Sequence, residues 1–310
     1  LAGLESLNSI GGNLSIYSNP LLCHCEVDAI CSYLSDPNGN MNIHSNSAGC
    51  SSLIEIAASC GTTIACLEEG TYELTSQFEI DHFPAVFPGC NAIACNVSIS
   101  GDDIVNLDSL HVITSIQGNL SVNNNPSLAS LSGLESLASI GGGLSITGNA
   151  TLISLMGLEG LTSVGGNLTI GGESSYYMNP SLTSLTGLEN LTSIGVDLKI
   201  YNNDALTSLA DLENLASIGG NLNISSNDAL ASLAGLDGLT SIGGNLTIRY
   251  NPLLCNCEVN AICTYLSDSN GYISLYNNGD GCSSLMELAA SCGTTMPCLE
   301  QGTYELTSQF

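Results

Sequence analysis

NLSVNNNPSLASLSGLESLASIGGGLSITGNATLISLMGLEGLTSVGGNLTI, residues 119–170, states one phrase of about two dozen residues twice over, and the phrase runs on to Asn251. The first Leu of each Leu-x-Ile/Val triplet stands at 120, 144, 168, 198, 222 and 246, in steps of 24, 24, 30, 24 and 24. A fixed period of this size is the signature of a solenoid. Within one unit the apolar residues keep fixed offsets, as in Leu222, Ile224, Leu230, Leu233, Leu236, Leu239 and Ile242. None of these runs has the 3.6 spacing of a long amphipathic helix, whereas Leu222-Asn223-Ile224 has the period of two of a strand. Gly-Gly pairs such as Gly219-Gly220 and Gly243-Gly244 supply permissive backbone for a corner. One coil cannot bury its own apolar edge, but coils stacked at roughly 4.8 Å make one Leu/Ile core. The expected class is mainly β, a parallel leucine-rich solenoid with short capping helices.

Two polar columns run through the repeat. Asn125, Asn149, Asn179, Asn203, Asn227 and Asn251 recur just after the strand. Stacked amides there would bond from coil to coil and satisfy a buried turn. Glu135, Glu159, Glu189, Glu213 and Asp237 place one acid per coil. Like charges one strand apart repel, so this column is expected to be a solvated face, with a calcium-bridged seam as the sharper alternative.

Composition narrows the partners. Lys199 and Arg249 are the only basic residues against 29 acidic ones, for a net charge of −27. Such a surface repels nucleic acid and anionic membranes. No apolar run reaches the roughly 18 residues of a membrane span. Fourteen Cys point to an oxidising, extracellular or cell-surface setting, and any targeting segment is expected outside these residues. Sequons at Asn13, Asn96, Asn119, Asn167, Asn190, Asn223 and Asn245 are glycan candidates. Asn119, Asn167 and Asn245 lead that set, because each precedes an inward Leu and should point outward. A further sequon at Asn149 belongs to the inward ladder and is expected to be unmodified.

A longer repeat encloses the short one. Residues 1–78 recur with drift as 233–310, and TYELTSQF at 71–78 returns unchanged at 303–310. Cys23, Cys25, Cys31, Cys50, Cys60 and Cys66 each recur 232 later, as Cys255, Cys257, Cys263, Cys282, Cys292 and Cys298. The expected organisation is a final coil and Cys-rich cap of one module at 1–66, a complete module at 67–298, and the opening of a further one at 299–310. In the cap, Cys23 to Leu34 and Ser51 to Ser59 read as helices and Met41 to Ser45 as a strand. Residues 72–80 read as a strand passing into a helix that Pro84 and Pro88 end. With Cys90 and Cys95 the full module holds eight Cys, an even number, so pairing can close within or between modules. Cys66 reaching Cys90 or Cys95 would staple a cap to the next module.

"LTSIGGNLTI", "NPSLTSLTGLENL", "NPLLCNCEVNAIC", "GCSSLMELAASC" and "LTSQFEIDHFPAVFPGC" together resemble the receptor L domain, and more closely the L-domain-like repeats of secreted and surface proteins. The resemblance covers nearly the whole chain and implies a right-handed parallel β-helix with the Leu-x-Ile strands in one sheet. It implies little about function, because the family holds hormone-binding receptors and surface proteins of other roles.

No catalytic constellation accompanies this architecture. His24, His44, His82 and His111 share no repeat position, and Cys23-His24-Cys25 returns as Cys255-Asn256-Cys257, which favours disulfides over a metal site. The coil between Ile170 and Asn179 carries six extra residues, Gly171 to Tyr177 must bulge from the stack, and Tyr176 and Tyr177 suit contact with protein or sugar. The expectation is a non-catalytic extracellular fibre or surface-layer protein of tandem modules, with no cofactor and with neighbouring copies and glycans as partners. The alternative is a receptor ectodomain for a peptide or glycan.

Overall fold

A computed structural model describes residues 1, 3–267 and 271–293. Every strand pairs in parallel. The long sheet has nine strands: Thr71–Leu74, Asn96–Ile99, Leu120–Asn123, Leu144–Thr147, Leu168–Ile170, Leu198–Tyr201, Leu222–Ser225, Leu246–Arg249 and Ile273–Tyr276. The second sheet has seven two-residue strands, from Ala92–Ile93 through Ser115–Ile116 to Ser241–Ile242. Like sits on like: Leu198 pairs with Leu222 and Leu222 with Leu246. The six-residue insertion does not disturb this register, since Leu168 still pairs with Leu198 across it.

Each coil fills its own slice of the interior. Leu222, Ile224, Leu230, Leu233, Leu236, Leu239 and Ile242 are all buried, and their equivalents in the other coils join them in one core. At about 1.5–3 kcal/mol per buried aliphatic side chain, seven per coil make this the dominant favourable term. The first Gly of each corner is there for space. A Cβ on Gly219 would lie 2.2 Å from the Gly195 carbonyl oxygen, and one on Gly243 would lie 2.1 Å from that of Gly219. Neither has a positive φ, so close stacking and not backbone permissiveness selects glycine here.

Among the described residues five α-helices flank the coils. Helices α1 (Asp28–Ser35) and α2 (Leu53–Cys60) cap the first coil, whose strand Leu14–Tyr17 pairs with Met41–His44. Helix α1 is shorter than the segment expected, because Cys25 is held by Cys50 and the turn before Asp28 is extended at Val27. Helix α3 (Gln77–Val86) follows the opening strand of the next module, and α4 (Asn260–Ser267) and α5 (Leu285–Ser291) cap the last coil. Pro84 does not end α3, which continues to Val86. Phe83 and Phe87 are fully buried with Tyr72, at ring separations of 5.4 and 4.9 Å from it, and this packing holds the helix through the proline. Glu79, also buried, accepts from the Thr75 amide while Ser76 Oγ accepts from the Glu79 amide, a reciprocal cap.

The disulfides lie in the two Cys-rich segments and just after the first of them. Cys25–Cys50 and Cys31–Cys60 close the first cap, and Cys257–Cys282 and Cys263–Cys292 repeat them. Cys66 is bonded to Cys90, across the junction. Cys23, Cys95 and Cys255 carry free thiols. Cys66 takes a partner beyond its cap, which leaves the cap with an odd thiol at Cys23, and Cys95 loses that contest to Cys90. Cys298 and residues 299–310 lie outside the described residues.

Candidate functional site

The strands decide which surfaces are available. The inner Asn column is structural throughout: all six of its residues are fully buried. Asn203 donates its backbone amide to Asn227 Oδ1 at 3.1 Å and its Nδ2 to the Ile170 carbonyl at 3.0 Å, and Asn227 repeats this with Asn251 and Ile200. The ladder enters the cap through Asn278, which accepts from the Asn251 amide, and Asn46 plays the same part in the first cap. The residue before five of the six rungs turns through positive φ, at Asn124, Gly148, Asn202, Ser226 and Tyr250, while Met178 at the end of the insertion is extended.

A second ladder, which no repeated letter marks, runs on the solvent side. Asn119 takes its place on Asn96 Oδ1, Gly143 on Asn119, Asp197 on Asn167, Asn221 on Asp197, Asn245 on Asn221, and Tyr272 on Asn245, each by a backbone amide donated to the side chain before it. These residues include the leading glycan candidates, which are exposed as expected. Their Nδ2 atoms differ. Asn119 Nδ2 is tied to Asn96 Oδ1, Asn96 Nδ2 to the Gly70 carbonyl, and Asn190 Nδ2 to the Glu159 carbonyl. Among the described residues, Asn13, Asn167 and Asn245 use only their Oδ1 atoms. Asn223 lies half-buried in the sheet face and accepts from Ser225 Oγ.

The acidic column serves the backbone. Glu135, Glu159 and Glu189 each accept the amide of the glycine two residues earlier, at 2.9, 2.9 and 2.8 Å, where that glycine turns at φ of 109–113°. Glu5 does the same for Gly3, and these backbone bonds hold its carboxyl below the usual range. This local role belongs to three of the five acids of the column, and Glu213 and Asp237 do not share it. Among the described residues no group of three His, Cys, Asp or Glu side chains is placed to hold a metal ion. Cys23-His24-Cys25 cannot chelate one as a set, since Cys25 is in a disulfide.

The outward face of the nine-stranded sheet is where the chemistry gathers. Both basic residues lie on it, Lys199 on Leu198–Tyr201 and Arg249 on Leu246–Arg249, two strands apart. Lys199 pairs with Asp197 at 2.9 Å. Burial alone would push Asp197 up, but the Asn221 amide and Lys199 outweigh it and hold the carboxyl below its usual range. Arg249 donates to the Tyr276 hydroxyl at 3.2 Å and lies 6.0 Å from the Tyr250 ring centroid, while its Nε is shielded and without a hydrogen-bond partner. Tyr250 itself turns through φ 56°, an unusual backbone for an aromatic residue, and its ring meets Tyr276 edge-on at 5.3 Å.

The inserted loop does not stand away from the stack. Asn202 Nδ2 donates to the Gly172 carbonyl at 2.5 Å, and a Cβ on Gly148 would lie 3.3 Å from the Tyr176 carbonyl oxygen. The loop folds back along the end of the sheet, beside Thr147 and Tyr201, which are buried although they alternate outward. Burial, then the nearby Glu173 charge, raises the Tyr201 phenol to about 12. At the loop's tip Tyr176 is 85% exposed and Tyr177 is also exposed. The structure therefore places Tyr176, singled out by sequence with Tyr177, beside Gly148 at the end of strand Leu144–Thr147, along the same edge of the sheet as Tyr201, Tyr250 and Arg249 but four strands from the last two. Those three carry no repeat signal, because each departs from its column.

On the opposite sheet a shallow trough of about 720 Å³ runs past Ser115, Ser139, Ser163, Ser193, Ser217 and Ser241. It is open along its length. The four histidines are spent locally, His44 stacked on Tyr17, His82 on Phe78, His111 on its own turn and His24 beside Cys23.

A stack of parallel leucine rungs with Cys-bonded helical caps defines a leucine-rich β-solenoid. Residues 161–264, covering the last coils and the start of helix α4, match the family model of the receptor L domain, and over that stretch the chain is similar to it. No curated protein and no solved structure matches it. The receptor L domain is a non-catalytic, ligand-binding family of extracellular receptors, and five disulfides fit an extracellular, secreted or surface setting. Among the described residues no helix is long and apolar enough to cross a membrane.

Proposed function

We propose that this chain is a stretch of a non-catalytic extracellular fibre or surface-layer protein, built from L-domain-like modules with boundaries near 66 and 298 and working by extension and adhesion. The observation that carries the reading is the junction. Helix α2 of one cap packs on α3 of the following module, Ile64 donates its amide to the Val86 carbonyl at 2.7 Å, and Cys66–Cys90 ties the two together. A flexible string of independent receptors has no need of such a joint. Glycans on Asn13, Asn167 and Asn245, whose Nδ2 atoms are not engaged among the described residues, would add to the solubility given by a charge of −27. The native polypeptide decides the matter: its length, from mass spectrometry or the complete reading frame, is expected to hold three or more modules of 232 residues. One or two modules followed by a membrane-spanning helix contradicts the reading.

The exposed Tyr residues favour a second reading, a receptor ectodomain that takes a peptide or glycan along the sheet edge from the Tyr176-Tyr177 loop towards Tyr250 and Arg249. Exposed aromatic residues near a cation, on a face otherwise mostly of Ser, Thr and Asn, suit such contacts. Saturable binding lost on deleting residues 171–177 would support it, and its absence across peptide and glycan panels would remove it.

A further inference from the structure

Helix α5 repeats α2 at a distance of 232 residues, and the two begin alike. Ser52 Oγ accepts from the Glu55 amide at 3.2 Å and Ser284 Oγ from the Glu287 amide at 3.3 Å. The Gly49 and Ser51 amides donate to the Glu55 carboxylate, as those of Gly281 and Ser283 donate to Glu287. The inner cap helices are buried to the same degree in both copies, Ile30 with Ile262, Tyr33 with Tyr265 and Leu34 with Leu266. Only the outer helices differ. Ile54 is 4% exposed, whereas Met286, its equivalent, is 69% exposed. Ala58 is half-buried and Ala290 is exposed, and Glu55 and Glu287 differ in the same sense.

What α2 has and α5 lacks among the described residues is α3. That helix brings Ile80, Phe83, Val86 and Phe87, all buried, to the junction. We propose that the outer face of α5, centred on Met286, is a docking surface for an α3-type helix from the opening segment of a following module. The inference rests on the tandem-array reading and identifies the surface by which the array continues. A second copy of this chain cannot supply its own α3, which its α2 already covers. The occupant is therefore a further segment with the chemistry of residues 71–90, and residues 303–310 repeat the start of that segment.

Methionine oxidation reads the surface directly, because sulfoxide forms at a rate set by access to the sulfur. The full chain is treated with peroxide, with and without a peptide of residues 71–90 carrying Cys90→Ser, and each Met is followed by mass spectrometry. Met156, 48% exposed and far along the stack, is the internal reference. The peptide is expected to slow oxidation of Met286 by about five-fold or more, saturably, and to leave Met156 unchanged. Met286→Asp should weaken peptide binding by about ten-fold, and Phe83→Ala with Phe87→Ala in the peptide should abolish the protection. Should the free peptide fail to fold, the chain can be extended past Phe310 with the sequence of residues 79–102, which delivers the helix at its repeat spacing. Protection in either format supports the docking surface. An unchanged Met286 rate in both overturns it, whatever the length of the native polypeptide, which tests the array reading separately.

Discussion

Asn227 is fully buried, takes the Asn203 amide on its Oδ1 and gives its Nδ2 hydrogens to the Ile200 and Ser225 carbonyls. Leucine there matches the surrounding core in polarity but leaves a buried amide and carbonyls unpaired. With each unsatisfied group costing about 1–3 kcal/mol, Asn227→Leu is expected to destabilise by about 3 kcal/mol or more in a denaturant titration. Asn223→Leu, on the outer face of the adjacent strand, should change stability by less than about 1 kcal/mol. Tyr201 makes a different demand. Its folded pKa of about 12 lies above the ordinary value of 10.0, so the neutral phenol is the form the fold favours. Its contribution is fully present below the unfolded pKa and is lost as pH rises from near 10 through about 12. Tyr201→Phe should flatten the loss of stability on that alkaline limb while leaving neutral pH nearly unchanged, as followed by thermal melts across the range. At Tyr250 the positive φ is the only such conformation held by an aromatic residue among the described residues. That turn is shared with Asn124, Asn202 and Ser226, so it is the ring and not the backbone that sets Tyr250 apart. Tyr250→Gly should keep or raise the melting temperature and, on the receptor reading, abolish ligand binding.

At the scale of the element, the corner glycines and the junction helices decide stability. A Cβ at 219 meets a backbone carbonyl at 2.2 Å that cannot move without opening two rungs. Gly219→Ala should therefore cost about 1–3 kcal/mol in a denaturant titration. The repeat itself is legible in the sequence because inward residues recur in register: the leucine offsets and the Asn column read as stacked from their spacing alone. The outer ladder is not. Its run from Asn119 stops at Gly143, which has no side chain to accept the next amide, and resumes at Asn167 and Asp197, and only backbone amides, which have no letter, show what these side chains hold. Several of the same residues also read as sequons, a pattern that speaks of what is attached outside them and not of what they hold. The insertion escapes for another reason. Residues 171–177 have no counterpart in the neighbouring coils, so no period can say that they fold back on Tyr201. Pro84 reads as a helix end because the rings that hold α3 together come from distant positions, Tyr72 on a strand among them.

For the whole molecule, the choice that sequence leaves open, Cys66 to Cys90 or Cys95, is one of three-dimensional proximity, and it falls on Cys90. Closing a loop with a separation of 24 residues is worth about 3 kcal/mol in the chain-entropy account. Cys66→Ser with Cys90→Ser is expected to lower the stability of the junction by about that amount, seen as faster hydrogen exchange in α2 and α3, with the amides of Leu198 and Leu222 unaffected. A chain carrying −27 also repels itself along its length, so added salt should raise its melting temperature. On the proposed reading, filled leucine rungs, paired amide ladders and a stapled joint serve a body that extends and presents its faces. Electron microscopy of the native material tests that most directly: unbranched filaments with a regular axial repeat, one stiff solenoid per module, are the predicted result, and separate compact particles that tumble about flexible links would contradict it.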